Sequence, residues 1–398
     1  MIPLNGLTLR YVPTPQIEKT LHDLDMRVGG KIDFEAQIPS VDLQKKYLVN
    51  SLMEEAIASS QLEGAVTTRV VAKQMLRENR KPRNHSEQMI LNNYITMMYI
   101  KDNTRPNQSL TLELIKEIHK KITKDTLENK VYEGAFRTDN EVKVFSRDDG
   151  QLIYEPPDYN SINKLLEQLC TFANTEPSGF YLHPIVKAIV LHYMIGYIHP
   201  FNDGNGRTAR ALFYWHLISQ KYNWLEYVAV STAIKNAPIK YMRAYLYSET
   251  DHNDITYFVK FNLRQLDIAL KSFETYIKKT MSENKKIFET IKRNPNLNFR
   301  QADVIIDISK NERPITLNEM QERYNITYQT ARTDLLGLAK LGYLHKHIRG
   351  KQYFFLLDKE KCMSAMDISD KKQIQLSDFG SKPNRPHKTI ATSLTTKN

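Results

Sequence analysis

The sequence contains few cysteines and no long apolar run, and these absences exclude several classes of protein. Two of the 398 residues are cysteines, Cys170 and Cys362, and their wide separation gives neither a zinc-ligand spacing nor a disulfide framework. No stretch is long and apolar enough to span a membrane, and the N-terminus lacks the basic and apolar regions of a signal peptide. No internal repeat is apparent. We therefore expect a cytoplasmic protein in a reducing compartment.

Length and composition indicate a globular protein with more than one domain. The chain is 41% hydrophobic and 25% charged, and 398 residues are enough for two or three domains. Its formal net charge of +11 suggests acidic partners, such as a nucleotide, a nucleic acid or another protein, although part of the excess lies in a lysine-bearing tail. Apolar residues recur mostly at helical spacing, so we predict a mainly α fold.

One stretch of twelve residues, 199–210, combines most of the chemistry. It reads His-Pro-Phe-Asn-Asp-Gly-Asn-Gly-Arg-Thr-Ala-Arg and separates two buried-helix patterns. A glycine-rich turn followed by the start of a helix can present backbone N–H groups to phosphates. Arg207 and Arg210 supply planar forks for phosphate oxygens, and Asp203 is a hard oxygen ligand that suits Mg2+ shared with a pyrophosphate. His199 titrates near neutrality, which makes it the natural general base.

The ordered combination resembles the signature of the Fic (Fic/Doc) family, His-Pro-Phe-x-[Asp/Glu]-Gly-Asn-Gly-Arg-x-x-Arg, at every defined position. Most members of that family transfer AMP from ATP to a protein hydroxyl. The resemblance implies a helical Fic-type core in which His199 deprotonates the target hydroxyl, Asp203 holds Mg2+ and Phe201 packs in the core to aim the loop. It also implies that the phosphates of ATP are held by Gly204, Asn205, Gly206, Arg207 and Arg210.

A second motif lies upstream of this core. Ser59, Glu63 and Gly64 match the family's inhibitory-helix pattern, [Ser/Thr]-x-x-x-Glu-[Gly/Asn], although by itself the stretch is an ordinary helix closing on a glycine. In relatives of this type the glutamate reaches the second arginine of the signature, which is Arg210 here. Arg210 cannot pair with Glu63 and bind the γ-phosphate at the same time, so we expect an enzyme that inhibits itself.

Two β-prone runs, Val142 to Phe145 and Leu152 to Tyr154, flank an Arg147-Asp148-Asp149-Gly150 turn and predict a hairpin. The resemblance implies that this hairpin is a flap over the active site, which aligns the target segment by strand addition. The candidate docking residues are Val142, Lys143, Val144 and Phe145.

Other expectations concern the faces of helices. We predict a helix from Thr67 to Lys81 with Val70, Val71, Met75 and Leu76 facing inward. His192 lies in the apolar pattern before the signature and is expected to be a hydrogen-bonded core histidine. Three tyrosines at helical spacing are either core residues or the lining of an adenine pocket: Tyr241, Tyr245 and Tyr247.

The segment from Leu297 to Leu357 predicts three short helices and a β-hairpin, which resembles a winged helix-turn-helix. Between residues 290 and 352, eleven lysines and arginines outnumber six acidic residues, a balance that favours phosphate contacts. Winged helices also bind proteins, and both alternatives stay open. The expected regions are an N-terminal helical region with the inhibitory helix at 1–105, a Fic catalytic core at 106–285, a winged-helix domain at 290–360 and a flexible tail at 361–398.

The sequence therefore predicts a self-inhibited protein adenylyltransferase that uses ATP and Mg2+ and modifies a Tyr, Thr or Ser hydroxyl of a target protein. Two alternatives stay open. One is removal of AMP with Glu63 orienting a water, and the other is a DNA-binding regulator whose Fic core senses nucleotide. The target protein, the modified residue and the signal that relieves inhibition are not specified. The oligomeric state is equally open, a homodimer included.

Overall fold

The computed structural model describes residues 2–4, 7–28, 41–145, 150, 152–176, 179, 181–311, 313–349 and 352–358. Most of these residues are helical, and the strands form small antiparallel sheets, so the predicted mainly α fold is confirmed. No helix among the described residues has the length and apolar character needed to cross a membrane.

The elements up to the last helix of the predicted catalytic core follow the chain in this order: β1 (Ile2–Leu4), β2 (Leu7–Leu9), α1 (Pro15–Val28), α2 (Val41–Leu62), α3 (Arg69–Arg77), α4 (His85–Asn103), α5 (Leu112–Thr123), β3 (Val144–Phe145), β4 (Leu152–Tyr154), α6 (Ile162–Asn174), α7 (Pro184–Ile198), α8 (Asn205–Ser219), α9 (Val230–Lys235), α10 (Pro238–Thr250) and α11 (Thr256–Arg293). The C-terminal elements are α12 (Phe299–Asn311), β5 (Ile315–Thr316), α13 (Leu317–Tyr324), α14 (Tyr328–Lys340), β6 (Leu344–Arg349) and β7 (Gln352–Leu357).

The centre of the molecule is the pair α7 and α8, which pack against each other and are buried on nearly every face. Pro184 occupies the first turn of α7, where its missing N–H costs nothing, and the Nδ1 of His183 caps that end by accepting from the N–H of Ile185. The helix ends at His199, whose φ of 49° is left-handed, and Gly204, with φ of 82°, precedes α8. The predicted signature therefore forms a tight loop over residues 199–204 and continues into the first turns of α8.

Helix α2 packs against α4 and α9 and carries a buried carboxylate at its middle. Glu55 accepts hydrogen bonds from the backbone N–H of Ser231 and the hydroxyl of Tyr214, both 2.8 Å away. Burial raises the pKa of Glu55, and these donors oppose that shift. Since Tyr214 belongs to α8, the network fixes α2 beside the helix that follows the signature loop.

The C-terminal elements form three helices and a three-stranded sheet with the order β5-β7-β6. Thr316 and Thr327 cap α13 and α14 through their hydroxyls. The guanidinium of Arg300 pairs with Asp334 within this part and with Asp42 at the start of α2, 2.9 Å away. The C-terminal part is thus joined by ion pairs to the same helix that ends at the inhibitory motif. The assignment of a winged-helix domain at 290–360 stays a prediction, and the tail at 361–398 lies outside the described residues.

Two local predictions are wrong. Helix α3 is shorter than predicted, and Val70 and Val71 face solvent, with 74% of Val70 exposed. Met75 and Leu76 are buried as predicted, and Ala72 completes the buried face of a helix whose first turn is capped by Thr68.

The flap strand is also shorter than the predicted run from Val142 to Phe145. Of the described residues before the turn, Val144 and Phe145 pair with β4, and the register shifts between them. The predicted turn residues 147–149 lie outside the described residues.

Candidate active site

The imidazole of His199 is held in one tautomer by the end of α7. Its Nδ1 lies 3.1 Å from the carbonyl oxygen of Gly196. Because a carbonyl can only accept, Nδ1 carries the hydrogen and Nε2 keeps its lone pair. Burial lowers the pKa of His199, whereas the Gly196 carbonyl and the nearby Glu63 carboxylate oppose that shift. A neutral imidazole with a basic Nε2 is the form that a general base needs.

The loop after His199 is closed by the side chain of Asn205. Its Oδ1 accepts from the N–H of Phe201 at 3.0 Å, and its Nδ2 donates to the carbonyl of Phe201 at 2.7 Å. The side chain of Asn205 is therefore used within the loop. Any contribution that it makes to the predicted anion cradle comes from its backbone N–H at the start of α8.

A histidine that no sequence pattern predicted, His119, packs against this loop and binds its backbone. The ring of His119 on α5 stacks on Phe201 with 3.6 Å between centroids and an angle of 1°. Its Nδ1 accepts from the N–H of Gly134 at 3.0 Å, so its Nε2 carries the hydrogen that binds the carbonyl of Asp203 at 2.8 Å. Burial lowers the pKa of His119 to about 4, which keeps the ring neutral. Phe201 is fully buried, as predicted.

Arg137 is a second residue that was missed, and it links the loop to the base of the flap. Its Nε donates to the carbonyl of His199 at 3.0 Å, and its backbone N–H donates to the carbonyl of Pro200 at 2.9 Å. Its Nη1 binds the carbonyl of Asp139 at 2.7 Å, and Nη2 binds the carbonyl of Pro157. A buried arginine that donates to several carbonyls is a positioning device. Only its place just before the predicted hairpin hinted at this role.

Asp203 is the candidate metal ligand, and its side chain is 53% exposed. One carboxylate oxygen accepts from the N–H of Gly204, and the other lies 3.2 Å from Nη2 of Arg207. The described residues hold no cluster of three or more metal-ligating side chains. Mg2+ commonly binds one or two carboxylates together with substrate phosphates and water, so a lone accessible carboxylate beside a phosphate site fits this ion.

Both arginines of the signature are buried and have donors to spare. Nε of Arg207 and Nη1 of Arg210 are buried and meet no acceptor among the described residues. Burial lowers the pKa of Arg207, with Asp203 opposing. Buried guanidinium groups with unsatisfied N–H donors are costly unless an anion completes them, and phosphate oxygens do so bidentately.

The predicted inhibitory residues lie on Arg210. Its Nη2 is 2.8 Å from Oε1 of Glu63 and 2.9 Å from the carbonyl of Ser59, and its Nε donates to the Ser59 hydroxyl at 2.8 Å. Burial alone would lower the pKa of Arg210, but the Glu63 carboxylate outweighs it and raises that pKa. Gly64 ends the turn after α2 with φ of 98°, so the chain leaves directly after Glu63.

The carboxylate of Glu63 also lies over the first turn of α8. A Cβ at Gly206 would be 2.2 Å from Oε1 of Glu63 and 3.2 Å from Nη1 of Arg210. This closeness puts the carboxylate where the N-terminus of α8 and a buried guanidinium both favour negative charge.

The hairpin predicted to be a flap is anchored beside the signature loop. The hydroxyl of Tyr154 donates to the carbonyl of Tyr197, two residues before His199, at 2.8 Å. Lys143 pairs with Glu155 at 3.0 Å, and half of Phe145 is exposed. The exposed, irregular pairing of β3 leaves a short strand edge near the loop.

The predicted aromatic residues behave mainly as core. Nε2 of His192 lies 2.7 Å from the hydroxyl of Tyr241, and burial lowers the pKa of His192 to about 3. Tyr245 packs so closely on Gly196 that a Cβ there would be 2.6 Å from its ring. Tyr247 is 46% exposed.

Comparisons with known proteins agree with the signature. Residues 109–217, which span α5 to most of α8, match the model of the Fic/DOC family. The chain is 26% identical over 219 residues to a protein adenylyltransferase Fic of Nematostella vectensis, which covers 53% of this chain and 48% of the relative. It is 32% identical over 150 residues to the protein of the same name of Drosophila virilis, over 37% of this chain and 28% of that one. The chain thus spans about half, or less, of these curated relatives.

A similar fold occurs in a solved structure. The crystal structure of a Fic family protein from Desulfovibrio desulfuricans G20 matches with a TM-score of 0.58 at 19% identity, covering 88% of this chain and 98% of that one. The likeness in fold thus extends well beyond residues 109–217. The predicted family resemblance is confirmed.

Proposed function

We propose that this Fic family protein is a self-inhibited protein adenylyltransferase, which transfers AMP from ATP to a hydroxyl of a target protein. The observation that carries the proposal is the joint geometry of His199, Arg207 and Arg210. A neutral imidazole with a fixed tautomer stands at one end of the loop, and two buried arginines with unsatisfied donors stand at the other. The relatives named protein adenylyltransferase Fic support the same chemistry.

In the proposed reaction the target hydroxyl attacks the α-phosphate of ATP. Nε2 of His199 takes the hydroxyl proton as the new O–P bond forms, and pyrophosphate leaves in line. Arg207, Arg210 and the N–H groups at the start of α8 bind the phosphate oxygens. Asp203 holds Mg2+, which neutralises phosphate charge when bound. His119 and Arg137 keep the loop in position by binding its carbonyls.

The same geometry supports inhibition within one chain. The γ-phosphate needs Arg210, which donates to Glu63 and Ser59 in this structure. Negative charge at Glu63 also repels a phosphate at the start of α8. We therefore propose that Glu63 withdraws Arg210 from ATP, and that movement of Glu63 or of α2 restores it.

The flap is proposed to align the target. Val144 and Phe145 offer a short strand edge, with Val142 and Lys143 leading into it, and Tyr154 ties the hairpin to the backbone beside His199. An extended target segment added to this edge would bring its hydroxyl toward the loop.

Labelled ATP tests the reaction class. Purified Glu63→Gly protein with Mg2+ and a cell lysate is expected to transfer label from α-labelled ATP but not from γ-labelled ATP, and His199→Ala in the same background is expected to transfer none. Label entering from the γ-position, or label independent of His199, would reject the proposal. Loss of AMP from a previously modified protein, with no label entering, would indicate AMP removal instead.

A second candidate function, contact with DNA, is favoured by the surface of α14. Tyr328, Gln329 and Arg332 are exposed on one side of this helix, and Arg332 forms no ion pair with any described residue. Helices of this kind bind phosphates and base edges in DNA.

A further inference from the structure

A cleft with a volume of about 400 Å3 lies between α2, the helix that leads to the predicted inhibitory motif, and the C-terminal part of the chain. Its walls come from α2, α3, α11, α12 and α13, together with Arg313 in the connection between α12 and β5. The volume is that of a site for a small molecule. Four cations line it: Lys46, Arg77, Arg313 and Arg323.

Three of these cations already have carboxylate partners. Lys46 pairs with Asp303 at 2.7 Å, and Arg323 pairs with Asp307 at 2.9 Å. Arg313 pairs with Glu319, also at 2.7 Å. Three of the four cations are therefore each paired with a carboxylate.

Arg77 is the fourth, and it has no such partner. Its half-buried guanidinium makes no hydrogen bond or ion pair with any residue that the structure describes. Burial lowers the pKa of Arg77, and the neighbouring charges of Arg323 and Arg313 lower it further, whereas the carboxylates of Glu319 and Asp307 oppose that shift without pairing with Arg77. A partly desolvated guanidinium beside other cations is destabilised unless an anion joins it.

Asn50 adds a neutral donor to the same wall. Its Oδ1 accepts from Nζ of Lys73 at 2.7 Å, which orients the amide and leaves its NH2 group as the remaining donor. A planar guanidinium and an amide donor together suit an oxyanion, whose oxygens accept from both.

We infer that this cleft is a binding site for a small oxyanion-bearing ligand, a phosphate or carboxylate compound, with Arg77 as its principal contact. The site is separate from the nucleotide loop, because none of its lining residues lies between 199 and 210. A ligand there would contact Lys46 and Asn50 of α2, and Glu63 is the residue that directly follows this helix.

Calorimetric titration of the full-length protein with inorganic phosphate at low salt tests the site. Wild type is expected to bind with a dissociation constant of about 1 mM, the range of a site with few contacts. Arg77→Met, which keeps an unbranched side chain but removes its charge and donors, is expected to raise the dissociation constant for phosphate at least tenfold. Arg77→Lys should lie between the two, since it keeps the charge without the fork.

Two matched variants separate the cleft from other phosphate sites. Arg264→Met removes an exposed arginine elsewhere, on α11, and is expected to bind phosphate like wild type. Arg207→Met disables the nucleotide site and should also retain phosphate binding in the cleft. If Arg77→Met binds like wild type, if only Arg207→Met abolishes binding, or if wild type binds no phosphate, the inference is wrong.

Discussion

Glu63 and Gly206 are so close that a side chain at residue 206 would require the carboxylate of Glu63 to move. A Cβ there would lie 2.2 Å from Oε1 of Glu63, which is well inside van der Waals contact. Gly206 is in the first turn of α8, where alanine would otherwise be the better helix former. A side chain at residue 206 and the Glu63 carboxylate would compete for the same space, so the two positions should be energetically coupled.

The effect of Gly206→Ala on the free energy of unfolding should change sign with the residue at position 63. In wild type the new methyl group collides with Glu63 and displaces its carboxylate from Arg210, and we expect the free energy of unfolding to fall by about 1–3 kcal/mol. In Glu63→Gly the collision is absent, and we expect alanine to stabilise the helix by about 0.5–1 kcal/mol. Equilibrium denaturation of the four proteins of this double-mutant cycle measures the coupling. Equal effects in the two backgrounds would show that Glu63 does not lie over Gly206.

The pH dependence of transfer should reflect the lowered pKa of His199. Burial favours the neutral imidazole, so protonation requires a pH below the ordinary histidine value of about 6.5. The acid limb of kcat/KM in the Glu63→Gly enzyme is therefore expected below that pH, with activity lost as pH falls through the lowered pKa. Since the Glu63 carboxylate raises the pKa of His199, wild type should lose activity at a higher pH than this variant. An acid limb at or above pH 6.5 would contradict the environment described for His199.

His119 is expected to act as a positioning residue. His119→Phe keeps the ring on Phe201 but leaves the N–H of Gly134 and the carbonyl of Asp203 without partners. We expect a loss of about 2–4 kcal/mol in the free energy of unfolding and a raised KM for Mg-ATP, because Asp203 is no longer fixed.

Ile118→Val is the matched control for this change. It removes one methyl group from the neighbouring buried position of α5, at a cost of about 0.5–1.5 kcal/mol, and leaves the hydrogen bonds of the loop intact. It should destabilise the protein without changing KM. Measuring KM in the Glu63→Gly background separates the two effects, and an unchanged KM in His119→Phe would reduce His119 to a structural role.

DNA contact through α14 predicts a specific salt dependence. In gel-shift titrations over a range of salt concentrations, Arg332→Ala should reduce the slope of log K against log salt by about 1 if this arginine binds a phosphate. Lys278→Ala, at an exposed position of α11, is the control and should leave the slope unchanged. Negligible binding by wild type at low salt would favour protein contact for this part of the chain.

Much of the site could be predicted because its chemistry is contiguous in the sequence. Residues 199–210 carry base, carboxylate and glycine turn in one loop and both arginines in the helix that follows it. The spacing of Ser59 and Glu63 places both on one side of a helix end. The nearly uninterrupted apolar pattern of α7 likewise indicates burial on all faces.

The parts that escaped prediction depend on long-range contacts. His119 is 84 residues from Asp203, and Arg137 is 62 from His199, so no local spacing identifies either as part of the loop. Val70 and Val71 were expected to be buried on helical periodicity alone, but the face that α3 buries is set by the surfaces of α2 and α13. The extent of β3 could not be predicted either, because its pairing with β4 is irregular and the register shifts between Val144 and Phe145.

The most direct test of the account compares the rate of label transfer from α-labelled ATP by wild type and Glu63→Gly, with Glu54→Gly as a control on the same helix. Glu54 pairs with Arg69 and Lys73, away from Arg210. We predict that Glu63→Gly is at least tenfold faster, a gain of about 1.4 kcal/mol in transition-state stabilisation, and that Glu54→Gly is not. Equal rates in wild type and Glu63→Gly, with unchanged affinity for ATP, would contradict inhibition by the pair of Glu63 and Arg210.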